Sequence, residues 1–247
     1  MDAIANFNIR IRLMTIRGGN KVNKSNQIST KILVLTAALT AMVVVMQLLG
    51  SFIHLGVFSI SLVLVPIVIG AAMCGVGVGA WLGFVFGAVV LISGDATAFL
   101  VVNPFGTIVT VLVKGSLAGF ASGVVYKAIS GLCASWKDKN KAAKLTRLDK
   151  AKELVFVYLP VFAAAVVCPI VNTGVFLVGC NLFFYSTITE WAMGLGYANA
   201  ANYMIFGLAG GNFLFELLFN VILSPTIVRV IDIFSVKFQD KGSFVRR

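Results

Sequence analysis

The stretch VVNPFGTIVTVLVKGSLAGFASGVVYK, residues 101–127, places one lysine inside a long apolar run. An apolar run of 18 or more residues with few charges is typical of a membrane-spanning helix. Lys114 lies 11 residues after Asn103 and 13 before Lys127, so a helix would carry it about 16 Å and 20 Å from those two positions, near the bilayer midplane. A charge at that depth costs about 2.5–3.5 kcal/mol on insertion scales, so we expect Lys114 to face a protein interior or a cavity.

Four further apolar runs surround this one in the chain. The sequence is 59% hydrophobic and 12% charged, which is more apolar than a soluble domain. The runs of spanning length are 32–52, 57–93, 104–125, 154 to about 182, and 202–228. The glycine-rich stretch 75–79 divides the second run. The sequence therefore predicts an all-α integral membrane bundle of six transmembrane helices.

The positive charges predict the orientation. All 20 lysines and arginines except Lys114 fall in three segments: before the first run, within 127–152, and after the sixth predicted span. The positive-inside rule places these segments, and hence both termini, in the cytoplasm. We expect a basic extension over 1–30, a membrane domain over 31–236 with a cytoplasmic loop at 127–153, and a basic tail over 237–247. The net charge of +11 is explained by this topology and by anionic lipid, so nucleic acid is not implied.

Residues for enzymatic chemistry are absent from the sequence. There is one histidine, His54, and the four cysteines (Cys74, Cys133, Cys168 and Cys180) lack metal-ligand spacing. The sequence contains no phosphate-binding loop and no nucleophile–base or zinc-protease motif. We therefore expect a protein that is not an enzyme and holds no metal or cofactor.

A sparse polar set lies deep in the predicted spans. Lys114 and Glu216 carry the two full charges at that depth. Asn212 and Asn220 lie four residues either side of Glu216, which gives one polar stripe on a helix, and the pair Asn172 and Thr173 follows Pro169 in the fifth span. Two interpretations stay open: a neutralising structural ion pair, or two charges that line a substrate cavity.

Small residues recur four apart in several spans. The glycines of the third span, at 75, 79, 83 and 87, and those of the fourth, at 115, 119 and 123, predict close packing between helices inside the bundle. Ala37 and Ala41 repeat the spacing in the first span, where the small face either packs internally or meets a partner protein.

Three outer loops are candidate lids. They are 50–58 with His54, 93–103 with Asp95 and Asn103, and 182–202 with Trp191. Their aromatic residues are equally typical of anchors at the membrane interface.

Three motifs carry a family resemblance. SISLVLVPIVIGAAMCGVGVGAWLGFVFG (59–87), NPFGTIVTVLVKGSLAGFASGVVY (103–126) and CPIVNTG (168–174), with six spans and a basic central loop, resemble the substrate-binding S component of an energy-coupling factor (ECF) vitamin transporter. The resemblance covers roughly 30–235 and is nearest to the pantothenate-type members, through the Asn-Pro that opens the fourth helix and the Asn-Thr of the fifth. Those members commonly carry an arginine three positions before Lys114, where this chain has Val111.

The resemblance implies a division of labour. An S component binds a vitamin from outside beneath its loops, then docks on a membrane T subunit that carries two ATPase subunits, so ATP is used by the partners only. Ala37 and Ala41 match the docking face of the first helix. The candidate substrate-binding residues are Asn103, Thr107, Lys114, Asn172, Thr173, Asn212 and Glu216, with His54, Asp95 and Trp191 in the gating loops. A small anionic nutrient is expected, with pantothenate leading, in a multi-pass protein of the bacterial plasma membrane.

The alternative is a self-contained secondary transporter or channel that uses Lys114 and Glu216 as a proton or ion relay. Transporters of that kind are commonly built from inverted repeats. No such repeat is detectable in this chain, so the alternative is less favoured.

Overall fold

The computed structural model describes residues 30–52, 54–55, 58–59, 62–139 and 147–243. The helices are α1 Thr30–Gly50, α2 Leu64–Cys74, α3 Val76–Ser93, α4 Thr97–Val102, α5 Pro104–Lys139, α6 Arg147–Phe183, α7 Tyr185–Gly194, α8 Ala200–Asn202, a π-helix π1 Tyr203–Ala209, and α9 Gly210–Ser243. Two short strands, β1 His54–Leu55 and β2 Phe58–Ser59, pair antiparallel with His54 opposite Ser59. The predicted all-helical architecture is otherwise what the described residues form.

Five spans, rather than six, meet the length and hydropathy of a membrane crossing within the described residues. They are Ile32–Gly50, Val76–Ser93, Pro104–Trp136, Val155–Phe183 and Ala200–Ile231. The second predicted span is the 11-residue helix α2, which is about 16 Å long and so shorter than a hydrocarbon core of about 30 Å. It is short because the chain just before it pairs as β1 and β2 instead of continuing the helix. The six-span count is therefore not confirmed.

A single glycine separates α2 from α3. Gly75 follows the last residue of α2 and precedes the first residue of α3, with φ 101° and ψ 175°. Residues with a side chain rarely adopt a positive φ, whereas glycine does so without strain. The prediction that the glycine-rich stretch divides the apolar run is confirmed, and the break is at its first residue.

The glycines of α3 and α5 form a seam in which the two backbones touch. A Cβ built on Gly83 would collide with the carbonyl oxygen of Gly115, and one built on Gly79 would collide with that of Gly119. The predicted internal packing is confirmed for this pair of helices. The seam also determines the site, because Phe86 lies between two seam glycines and its ring edge would lie 3.3 Å from a Cβ on Gly115, the residue after Lys114.

The long helices extend beyond the predicted spans into the basic segments. Helix α5 continues to Lys139, α6 begins at Arg147, and α9 continues to Ser243. Two spanning helices thus extend into the predicted loop, and α9 extends into the predicted tail. Residues 1–29 of the predicted extension over 1–30, the middle of the loop at 140–146 and the end of the tail at 244–247 lie outside the described residues, and Thr30 is the first residue of α1.

Two apolar clusters divide the bundle along its length. The larger one joins α1, α2, α3, α5, α6 and α9, with Val43, Ile67, Leu82 and Ile227 among its most buried members. The smaller one packs α7, α8 and π1 against the end of α6. The site described below lies between these clusters, where polar side chains replace apolar ones.

The glycine seam predicts that the same substitution, glycine to alanine, changes the stability of the protein in opposite directions at two positions. Gly83→Ala should destabilise the protein by about 1–3 kcal/mol, because its new methyl meets backbone that cannot move aside. Gly174→Ala, in α6 with open space around its Cβ, should stabilise it by about 0.5–1 kcal/mol through helix propensity. Thermal unfolding of both variants in detergent checks this. Equal changes in melting temperature for the two variants would contradict the close backbone contact at the seam.

Candidate functional site

A cavity of about 280 Å³ lies between α1, α3, α5, α6 and the junction of π1 with α9. This volume is near the lower end of the range for small-molecule sites, about 300–1,000 Å³. Six of the seven predicted substrate-binding residues line it: Thr107, Lys114, Asn172, Thr173, Asn212 and Glu216. These polar residues of three different spans therefore converge on one cavity.

The ammonium group of Lys114 faces two aromatic rings in this cavity. Its Nζ is 5.1 Å from the centroid of the Phe176 ring on α6 and 5.8 Å from that of the Phe86 ring on α3. A cation within about 6 Å of a ring face is attracted by the ring's negative face, by about 0.5–2 kcal/mol. These rings attract the cation at the cavity wall. A phenylalanine ring has no oxygen or nitrogen atom that could accept a hydrogen bond from the ammonium group.

The carboxylate of Glu216 is held by two amides. Asn212, one turn earlier on α9, donates from Nδ2 to Oε1 at 3.1 Å, and Asn172 on α6 donates from Nδ2 to Oε2 at 3.3 Å. Glu216 is 2% exposed, so these donors replace the water that a carboxylate would otherwise bind. The predicted deep charges thus share a cavity but have separate partners, which favours the cavity interpretation over a neutralising pair.

Three oxygen atoms at the cavity are buried and accept or donate no hydrogen bond within the described part of the chain. They are Thr110 Oγ1, Asn172 Oδ1 and Asn212 Oδ1. Buried polar atoms in proteins are nearly always paired. Both asparagines donate an amide N–H to Glu216, and their oxygens are left as acceptors at the cavity.

Asp95 belongs to the cavity wall as well as to the predicted lid 93–103. It lines the cavity together with Gln47 of α1. Its Oδ2 accepts a 2.7 Å hydrogen bond from Gln47 Nε2 and a 3.3 Å bond from Ser93 Oγ. The end of α1 is therefore tied to the end of α3 at the cavity.

Asn103 is the predicted binding residue that the cavity wall does not include. Its Oδ1 accepts from the backbone N–H of Gly106 at 2.9 Å, and its carbonyl oxygen accepts from Thr107 Oγ1 at 2.8 Å. An asparagine that satisfies the free N–H groups of a helix start is a common cap. The Asn-Pro pair thus starts α5 and orients Thr107, so its role here is structural.

The other predicted residues lie around the site. Trp191 on α7 packs edge-on against Phe99, with centroids 5.6 Å apart, and Phe99 lines the cavity. His54 is in β1, and the structure describes its backbone but not its side chain. Ala37 and Ala41 are exposed on α1, so the small face is not used for packing within the described chain.

Sequence reasoning missed several wall residues: Gln47, Phe86, Phe99, Thr110, Phe176 and Phe184. A partial signal existed, because Thr110 lies four before Lys114 and Phe176 lies four after Asn172, which places each on the same helix face. The phenylalanines gave no signal of their own, since the chain has 20 of them and an apolar span does not reveal which ones face lipid.

Comparisons with known proteins give the class. The family profile described as "ECF transporter, substrate-specific component" matches residues 31–228. The chain therefore belongs to this family, whose members are transporter subunits that bind a small-molecule substrate and work with T and ATPase modules. They are not enzymes.

A solved structure, ThiT from Listeria monocytogenes, has a similar fold. The TM-score is 0.57 at 20% identity, over 80% of this chain and 93% of that chain. At this identity the likeness shows the fold alone. Among curated proteins none matches the chain significantly.

The carboxylate cluster yields a stability test. Asn172→Leu should destabilise the protein by about 1–3 kcal/mol, because the buried carboxylate of Glu216 loses one of its two amide donors. Asn181→Leu is the matched control on the exposed face of the same helix and should be close to neutral. Thermal unfolding in detergent without ligand compares them. An Asn172 variant as stable as the control would show that this amide does not support the carboxylate.

Proposed function

We propose that this chain is the substrate-binding subunit of an ECF importer for a small anionic nutrient of vitamin size, with pantothenate the leading candidate. One observation carries the proposal: the cavity contains a deep cation, Lys114, which contacts two aromatic rings and forms no direct ion pair among the described residues. A ligand carboxylate would supply the charged oxygen that the rings lack.

The other end of the ligand is proposed from the unpaired oxygens. Asn172 Oδ1, Asn212 Oδ1 and Thr110 Oγ1 are suited to hydroxyl or amide N–H donors. Pantothenate carries a carboxylate at one end, two hydroxyls at the other and an amide between them. That distribution agrees with a cation on α5 and acceptors on α6 and α9.

Access is proposed from the outer side of the membrane. The cavity lies where α1 ends and α5 begins, beside Gln47, Asp95 and Thr107. With the basic segments in the cytoplasm, that end of α1 is the outer one. The segments near it would close over the ligand: the hairpin that contains His54, the turn that contains Asp95, and α7 with Trp191.

Docking is proposed for the exposed small face of α1. Ala37 and Ala41 are exposed, and small residues four apart allow another helix to approach closely. The proposed partners are a membrane T subunit with two ATPase subunits, which would use the ATP. The proposed location is the bacterial plasma membrane.

The relay alternative is not supported by the site. A relay between Lys114 and Glu216 needs the two groups to exchange a proton directly or through water. Instead, the carboxylate is bound by two amides and the ammonium group by two rings. Family membership also favours a substrate-binding subunit.

The substrate proposal predicts a ranking in a binding assay. Pantothenate should bind the purified wild-type protein more tightly than riboflavin, folate, thiamine or nicotinate in isothermal titration calorimetry. Lys114→Met should weaken pantothenate binding by at least about tenfold, because a charge-assisted bond is lost. Tight binding of a cationic or neutral vitamin, with none of pantothenate, would contradict both the anion argument and the named substrate.

The docking proposal predicts a separation of binding from assembly. Ala37→Trp with Ala41→Trp should leave ligand affinity unchanged and abolish copurification with the T subunit, because two indoles prevent close helix approach. The control pair, Met42→Trp with Leu49→Trp, lies further round the exposed arc of α1 and should still copurify. Normal assembly of the alanine variant would place docking elsewhere.

A further inference from the structure

The two deep charges of the cavity are kept apart by the residues around them. Lys114 extends from α5 to the rings of Phe86 on α3 and Phe176 on α6. Glu216 on α9 is bound by Asn172 and Asn212. Both groups line the same cavity of about 280 Å³.

Such an arrangement needs an explanation, because opposite charges in a low-dielectric interior attract strongly. A lysine side chain is long and flexible, so its ammonium group can reach for a carboxylate in the same cavity. If the two groups paired, the cation would be neutralised, and an arriving anion would have to displace Glu216 first. Something must make the separated state favourable.

The two rings supply that alternative. Phe86 is 2% exposed, and its position is determined by the glycine seam between α3 and α5. Phe176 packs edge-on against Phe99, with centroids 5.7 Å apart. Both rings are thus held by packing that does not involve Lys114, so they are in place before the cation contacts them.

We propose that Phe86 and Phe176 are positioning residues that hold the Lys114 ammonium group away from Glu216, and thereby keep it available for the carboxylate of a ligand. The ammonium group contacts two ring faces. The same cavity also contains a carboxylate that is bound by its own amide donors. This deepens the proposed function and rests on it for the identity of the ligand, whereas the separation of the charges is a property of the protein alone.

A ligand-free experiment tests the separation. Lys114→Met, Glu216→Gln and the double variant are compared by thermal unfolding in detergent, first with Phe176 present and then with Phe176→Leu. With Phe176 present, the two charges interact across the cavity without a direct ion pair, and the departure of the double variant from the additive expectation gives the reference coupling. With Phe176→Leu, the charges should pair directly, so that departure should grow by at least about 5 °C.

Two controls separate positioning from packing. Phe184→Leu removes a more deeply buried ring that also lines the cavity and is not one of the two rings contacted by Lys114, and it should leave the coupling at its wild-type value. Phe176→Tyr retains the ring and should do the same. If Phe176→Leu proves too unstable to purify, Phe176→Met removes the ring with less change in volume. A coupling that does not increase in the variants that lack the ring would overturn the proposal.

A binding experiment then tests the consequence for selectivity. Pantothenate is compared with pantothenol, in which an alcohol replaces the carboxylate, and the ratio of the two Kd values is the readout. The wild type should favour the acid by at least about tenfold. The ratio should fall towards one in Phe176→Leu, stay high in Phe176→Tyr, and rise again when Glu216→Gln is added to Phe176→Leu, because the competing carboxylate is gone. Loss of packing alone would not be rescued by Glu216→Gln.

The two experiments fail in different ways. If the wild type binds neither compound, the substrate named in the proposed function is wrong, and the ligand-free cycle still decides whether the rings separate the charges. If pantothenate binds and the ratio is the same with and without the Phe176 ring, the substrate stands and the positioning role is overturned.

Discussion

An ammonium group near the middle of a membrane must be enclosed by protein, and this constraint organises the structure. Lys114 is enclosed because α3 approaches α5 along a seam of glycines so closely that the two backbones touch. That approach brings Phe86 next to the lysine, and α6 brings Phe176 to its other side. The glycines of the seam are therefore part of the site, although none of them needs to contact a ligand.

The carboxylate of Glu216 is likewise a charge that the surrounding protein must stabilise. Glu216 is buried, and its charge is met by amides from two helices. Each asparagine then presents an oxygen that has no partner within the described residues. A cation and hydrogen-bond acceptors in one cavity are suited to a polar, charged small molecule, which agrees with a substrate-binding component of an ECF transporter.

The sequence was sufficient for the features that depend on local composition. Hydropathy located the long spans, the glycine-rich stretch 75–79 marked the break between α2 and α3, and six of the seven candidate binding residues lie at one cavity, which does not include Asn220. It was insufficient where the outcome depends on contacts between distant segments. A phenylalanine against lipid and one beneath an ammonium group look alike in a hydropathy plot, so Phe86 and Phe176 were missed. The hairpin that shortens α2 and the capping role of Asn103 likewise depend on backbone geometry.

The central claim is that Lys114 is the anchor for an anionic ligand, and mass spectrometry of the small molecules that copurify with the protein tests it most directly. Wild-type protein and Lys114→Met are expressed in the same cells, purified in the same detergent and denatured to release what they bound. The account predicts one carboxylate-bearing molecule of vitamin size in the wild-type sample and its loss from the variant. A cationic or neutral molecule retained equally by both proteins would contradict it.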